Sequence, residues 1–138
     1  MIILDTNVLS ALMRNVSDPK IVTWLNQQPR SSIWTSSVTI FEIELGLQIM
    51  PAGKKKTSLS EGFRRVLERL DHRIAPFDHE AARFAAELAA SRQKRGRIVE
   101  FRDTMIAGTV LAQRATLATR NIAHFSDLSI TVINPWHA

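Results

Sequence analysis

Three carboxylates in this chain interrupt or head apolar patterns, and together they suggest metal-assisted chemistry. Asp5 follows the run Ile2-Ile3-Leu4 and opens the polar triplet Asp5-Thr6-Asn7. A short apolar run without polar alternation reads as a strand buried on both faces, and ligands of parallel α/β sheets lie beyond the carboxyl ends of such strands, where Asp5 falls. The plain alternative is a cap for the helix beginning near Asn7. On a helix Glu42 shares one stripe with Val38, Phe41, Leu45 and Ile49, so its carboxylate is expected on the inward face, whereas Glu44 lies about 200° away. Asp103 heads a similar stripe through Ile106, Ala107, Val110 and Leu111. Its alternative role is to stabilise a first helical turn, worth about 0.3–1 kcal/mol. An acid on a buried face is costly unless it meets a cation or several donors, and a metal answers that better than idle packing. Three carboxylates from separate elements, with no histidine beside them in sequence, suit Mg²⁺ or Mn²⁺ rather than zinc. Such a cation would polarise a phosphoryl oxygen and lower the pKa of water, which is the chemistry of phosphodiester hydrolysis. Brought together, the three acids would repel, so divalent metal is expected to stabilise the fold.

The elements that must position these residues alternate. After the strand Ile2–Leu4, the apolar spacing of Val8, Leu9, Leu12 and Met13 predicts a helix, with Asn7 as its cap. Asp18 caps a second helix that has Pro19 in its first position. Ile33-Trp34-Thr35 reads as a strand, and Ser36-Ser37 caps a helix to about residue 49. Residues 51–57, with Lys54-Lys55-Lys56, read as a loop, followed from Ser58 by a helix through Leu70. Ile74-Ala75 is a short strand, and Asp78 opens a helix to about Arg95 with Arg92, Lys94, Arg95 and Arg97 outside, ended by Gly96. A helix over about residues 102–114, a strand at residues 116–119, a helical turn at residues 121–125 and a strand at residues 130–133 complete the reading. Strands alternating with helices predict an α/β class with a central, mostly parallel β-sheet flanked by helices, a single domain over residues 1–138.

Composition bounds the function classes. The 138 residues include 18 Lys+Arg against 13 Asp+Glu, a formal charge of +5, with 45% hydrophobic residues and no cysteine. The last point excludes disulfides, thiolate metal sites and cysteine nucleophiles and fits a reducing compartment. No apolar run approaches the roughly 18–20 residues that span a bilayer, and Met1-Ile2-Ile3-Leu4 meets Asp5 without a basic leader, so a cytoplasmic protein with no membrane partner is expected. A pI near 10.4 favours a polyanionic partner such as nucleic acid.

The motif order carries a family resemblance. Residues 1–10, Met1-Ile2-Ile3-Leu4-Asp5-Thr6-Asn7-Val8-Leu9-Ser10, resemble the opening of PIN-domain ribonucleases, particularly the VapC and FitB-like toxins of toxin–antitoxin pairs. Ser36 to Glu42 is similar to the family's second acidic motif, Arg102 to Thr109 to its third, and Leu117 to Phe125 to its fourth. The resemblance covers essentially the whole chain. It implies a PIN-like fold and a Mg²⁺- or Mn²⁺-dependent endoribonuclease with Asp5, Glu42 and Asp103 as metal ligands. It also implies Asn121 at the fourth catalytic position, a homodimer, an inhibiting cognate antitoxin and a larger assembly with operator DNA. Many family members carry an acid where Asn121 stands, so a second metal has one charge fewer to hold it. Thr6 and Thr119 match the family's hydroxyls and are assigned orienting roles; turn or strand chemistry is the plain alternative for both. Asn7, besides capping, could orient Asp5.

Two basic clusters, Lys54-Lys55-Lys56 and the Arg92, Lys94, Arg95 and Arg97 group, could track RNA phosphates or be solvated faces. His72, His79, His124 and His137 lack ligand spacing and are expected on the surface or at helix ends. Trp24, Trp34 and Trp136 are expected in the core or an interface. A DNA nuclease, or a binding module with a degenerate acid site at Asn121, remains open beside the ribonuclease reading. An aspartyl phosphatase would need an acid two residues beyond Asp5, and Asn7 stands there.

Overall fold

The chain, described here over residues 1–138 as a computed structural model, is built on one sheet. Its elements are β1 (Ile2–Leu4), α1 (Thr6–Met13), α2 (Pro19–Asn26), β2 (Ile33–Ser36), α3 (Ser37–Ile49), α4 (Lys54–Leu70), β3 (Ile74–Ala75), α5 (His79–Lys94), α6 (Phe101–Gln113), β4 (Thr116–Ala118) and β5 (Val132–Ile133). Short 3₁₀ turns stand at Arg30–Ser32 and Ile122–Phe125. All pairings are parallel and the strand order is β3-β2-β1-β4-β5, so the α/β expectation holds. The first strand is central, with the chain continuing to one side in β2 and to the other in β4. That reversal is the topological switch point at which α/β sheets open a crevice.

Alternation along the strands sends Leu4, Ile33 and Ala118 into one apolar cluster with α1, α2 and α4, and Ile3, Leu117 and Ala75 into a second with α6. Both faces of the sheet are therefore covered, which explains why Ile2–Leu4 lacks polar residues. The helix starts are set locally. Asp18, Ser36 and Asp78 accept from the backbone N–H groups of Lys20, Thr39 and Ala81, and Glu100 accepts from that of Arg102.

Several expectations are corrected. Asp5, not Asn7, caps α1, because the chain turns directly from the strand and Asp5 accepts from Thr6 N–H. Lys54-Lys55-Lys56 is not loop but the first turn of α4, entered from Gly53 at a φ of 156° without a side-chain cap. The last strand is only Val132–Ile133. In α3 the inward side is Val38, Thr39, Ile43 and Leu47, while Phe41 (57% exposed) and Ile49 (75%) face outward with Leu45. This helix is apolar nearly all round, so periodicity did not pick its buried side.

Two glycines fix close helix approaches. A Cβ on Gly62 of α4 would collide with the Met13 carbonyl oxygen, and one on Gly108 of α6 would stand 2.5 Å from the Ala81 carbonyl oxygen. Backbone cannot yield as a side-chain tip would, so Gly62→Ala is expected to cost about 3 kcal/mol, at the upper end of overpacking penalties. Urea unfolding checks this; a midpoint equal to the parent's would refute the close α1–α4 contact.

Candidate active site

The register of the sheet gathers polar residues at one end. Leu4 lies level with Thr35 of β2 and Ala118 of β4, so the residues that follow, Asp5, Ser36 and Thr119, emerge side by side at the carboxyl ends of three strands. Asp5 is almost wholly buried there. It accepts from Thr6 N–H at 2.8 Å, from the Thr119 hydroxyl at 2.7 Å and from Asn7 Nδ2 at 3.2 Å. The Thr119 hydroxyl oxygen in turn accepts from Asn121 N–H at 3.0 Å, and Asn7 Oδ1 accepts from Arg120 N–H at 3.1 Å. Thus the three residues that follow β4, Thr119, Arg120 and Asn121, are tied to the three that follow β1. Burial, opposed by the bonds from Thr119 and Thr6 and reinforced by the charge of Asp103, leaves the Asp5 carboxyl above its ordinary pKa.

Glu42 reaches the same region from the second turn of α3. Thr6 Oγ1 donates to its Oε1 at 2.9 Å and meets the Thr39 hydroxyl at 3.2 Å, and Thr39 is itself joined to Ser36. Burial also raises the Glu42 pKa, with Thr6 and Arg102 opposing and Asp5 and Asp103 adding to the rise. Asp103 stands in the first turn of α6, its Oδ2 2.9 Å from Nδ1 of His124. The structure therefore brings Asp5, Glu42 and Asp103 within electrostatic reach of one another, with Thr6 bonded to both Asp5 and Glu42, and Asn7 and Thr119 bonded to Asp5. Asn121 opens the adjacent 3₁₀ turn, its backbone N–H on Thr119.

Two neighbours of this group were not picked out by sequence. His124 is exposed in the 3₁₀ turn, as expected for a surface histidine, but it also reaches Asp103, 21 residues away. Arg102 precedes Asp103; its Nη1 is 3.9 Å from Glu42 while its Nε donates to Glu100 at 2.8 Å. The acid immediately before Asp103's helix and the cation beside it were visible in the sequence, but nothing local pointed them at Glu42. His72, His79 and His137 are exposed as well, and Trp24 and Trp136 are buried as expected, Trp136 under the Arg120 guanidinium at 4.3 Å.

The basic clusters part company. Lys55 lines a cleft of about 570 Å³ with Thr6, Arg14 and Glu42, so the first turn of α4 opens toward the acids. Arg92 is the opposite of a solvated cation: it is 2% exposed and bonded to Asp127 at 2.9 Å through both Nε and Nη2. Arg95 and Arg97 turn to the same carboxylate at 3.0 and 3.8 Å. The expectation that Arg92 stands outside is corrected by that acid 35 residues away, whose own pKa the Arg92 bonds hold well below the usual carboxylate range.

The donor set fits a hard divalent cation by charge and atom type. Asp5 is a buried carboxylate with no lysine or arginine at ion-pair distance, and the charge of Asp103 adds to the burial that raises the pKa of both Asp5 and Glu42. As they stand, no three of the acidic and histidine side chains converge closely enough to enclose an ion. Glu42 is turned to Thr6, and Asp103 to His124.

Comparison with known proteins finds relatives that match the chain over nearly its whole length. A family model described as PIN domain matches residues 2–129. A VapC ribonuclease of Sinorhizobium fredii, Y4jK, is 36% identical, covering 99% of this chain and 98% of that protein. Toxin FitB of Neisseria gonorrhoeae is 33% identical over 99% of both chains, and the crystal structure of FitAcB from that organism matches with a TM-score of 0.87 over 100% of both. The crystal structure of VapBC2 from Rickettsia felis bound to a DNA fragment from its promoter matches with a TM-score of 0.84 at 26% identity, covering 97% of this chain and 98% of that one. No helix of the chain is long and apolar enough to cross a membrane.

Proposed function

The chain belongs to the PIN domain family, and from that premise we propose that it is a Mg²⁺- or Mn²⁺-dependent endoribonuclease, the toxin of a toxin–antitoxin pair. The observation that carries this reading is Asp5, a nearly buried carboxylate at the end of the central strand that accepts from hydroxyl and amide donors, lies within electrostatic reach of two further acids and meets no cation of the protein. Asp5, Glu42 and Asp103 would hold the metal, with Asn121 at the rim. A bound cation supplies Lewis acidity, neutralising charge on the phosphate and acidifying water. The chain's own groups prepare the place. Thr119, Thr6 N–H and Asn7 fix the Asp5 carboxylate in one orientation, and the Thr6 hydroxyl does the same for Glu42. Arg102, half-exposed beside Glu42 and steadied by Glu100, offers a guanidinium to a substrate phosphate arriving at the mouth. Lys54, Lys55 and Lys56 stand at the amino end of a helix dipole, where cations cost rather than add stability, so we assign them to the RNA backbone with Lys94. Arg95 and Arg97 have less to offer RNA, being committed to Asp127.

The partners follow from the same reading: RNA as substrate, a cognate antitoxin, and operator DNA reached through a toxin–antitoxin assembly like the DNA-bound VapBC2 complex. A second copy of the chain would cover the outward apolar residues of α3, Phe41, Leu45 and Ile49. A cytoplasmic location goes with the RNA target.

Digestion of matched RNA and DNA strands with Mg²⁺, Mn²⁺ or EDTA tests the proposal. Internal cleavage of RNA with either metal and none in EDTA is expected. Retained RNA binding without cleavage would convert the protein to a binding module, and equal cutting of DNA would make it a general nuclease. Expression in cells should arrest growth, relieved by a small protein encoded just upstream.

A further inference from the structure

Asp5 and Glu42 are placed by the sheet and by the Ser36 cap of α3, but Asp103 arrives on a different helix, and nothing in the sheet fixes the angle of its first turn. Besides the Glu100 cap and the packing of α6 on α5, that turn is tied to its surroundings by one guanidinium. Arg92, in the last turn of α5, donates through Nη1 to the Thr104 hydroxyl at 2.8 Å, through Nη2 to the backbone carbonyl of His124 at 2.8 Å, and through Nε and Nη2 to the two oxygens of Asp127 at 2.9 Å. Thr104 is the residue after Asp103, and the His124 ring is 2.9 Å from Asp103 Oδ2. A closed circuit results, from Arg92 to Thr104, across to Asp103, on to His124 and back to Arg92. The side chains of Arg92 and Asp127 are 3% and 5% exposed. Burying such a pair costs as much desolvation as its attraction returns, so stability alone is a poor reason for it; a planar, bidentate fork instead fixes relative position.

Resting on the nuclease reading above, we propose that Arg92 and Asp127 are positioning residues of the acid site: they set the first turn of α6 and the 3₁₀ turn together, and so keep Asp103, bonded to His124, within electrostatic reach of Asp5 and Glu42. They touch neither substrate nor metal. Arg95 and Arg97 brace the same carboxylate, and Arg97 Nη2 also donates to the carbonyl of Ala123, at 2.6 Å, in the same 3₁₀ turn.

The experiment measures Mn²⁺ affinity, by the electron paramagnetic resonance of free Mn²⁺, together with the kcat and KM of RNA cleavage, for the parent and for Asp127→Asn, Thr104→Val and Thr104→Ser. Circular dichroism confirms that each variant is folded at the temperature used. Thr104→Val keeps the ion pair and removes only the link to α6, so it serves if Asp127→Asn does not fold. Outer-shell partners of metal ligands are worth about 10- to 100-fold in affinity or activity. Thr104→Val and Asp127→Asn are expected to weaken Mn²⁺ binding by at least about tenfold and to lower kcat with KM unchanged, and Thr104→Ser to keep parental values. Folded variants with parental Mn²⁺ affinity and kcat would reduce the pair to a tertiary clamp and overturn the proposal. A rise in KM alone would overturn it too, assigning the arginines to RNA. A parent that itself binds no Mn²⁺ and cuts no RNA would instead remove the nuclease reading, and this proposal with it, without reference to any variant.

Discussion

Asp5→Asn is expected to lower RNA cleavage about a thousandfold while leaving the chain folded and, in EDTA at neutral pH, at least as stable as the parent. The two halves of this expectation come from the same geometry. Asparagine keeps an oxygen to accept from Thr6 N–H, so the cap of α1 survives, and its amide can donate to the Thr119 hydroxyl in place of accepting from it. What it loses is charge. That charge is the one most deeply withdrawn from water in the site, and burial already pushes the carboxyl's pKa up, so removing it relieves the metal-free fold. A cation held by two carboxylates instead of three gives up several kcal/mol of electrostatic stabilisation, which is about three powers of ten in rate. Cleavage of a fluorogenic oligoribonucleotide and a thermal melt in EDTA read the two halves separately. A variant that cuts RNA as the parent does would exclude Asp5 from the chemistry. One that melts well below the parent would show that its carboxylate serves the cap instead.

How much of this was legible in the sequence depends on how local each cause is. The β1 run, the alternation of strands and helices, and the caps at Asp18, Ser36 and Asp78 all follow from neighbours within four residues, and the structure has each of them. Asp5 at a strand end was visible because the apolar run stops there. The face of α3 was not, since apolar residues surround that helix and the choice falls to Thr39 and Ser36, whose hydroxyls bond to each other inside. Glu42 is accordingly near the site because Thr6 reaches it, while Phe41, its supposed companion, points away. Arg92 and the link from His124 to Asp103 were hidden for one reason. Each is defined by a partner far along the chain, Asp127 and Asp103, and for Arg92 a place in a basic run carries no local mark of burial.

Divalent metal is expected to raise the melting temperature at pH 7.5 on the order of 10 °C when present at about a hundredfold excess over its Kd, and EDTA to abolish cleavage. The reason lies in the titration of the acids. Asp5 and Glu42 both titrate above their ordinary pKa, through burial first and through neighbouring acids as well. A carboxyl whose folded pKa exceeds its unfolded one contributes stability that is full below the unfolded value and is lost as pH rises through the folded value. In EDTA these two residues should therefore make the fold lose stability from about pH 4 upward. Asp127 has the opposite sign: its depressed pKa gives a contribution present above the ordinary carboxylate range and lost as pH falls. A metal bound by ionised Asp5, Glu42 and Asp103 offsets the cost on the neutral side only, so the metal-induced shift should grow with pH and shrink toward zero in acid. Asp5→Asn should keep only a small part of it. Melts in Mn²⁺ and in EDTA across pH 4.5 to 8 decide the matter: equal shifts at both ends would mean binding elsewhere on the surface, and no shift at pH 7.5 would mean that the three carboxylates share no cation.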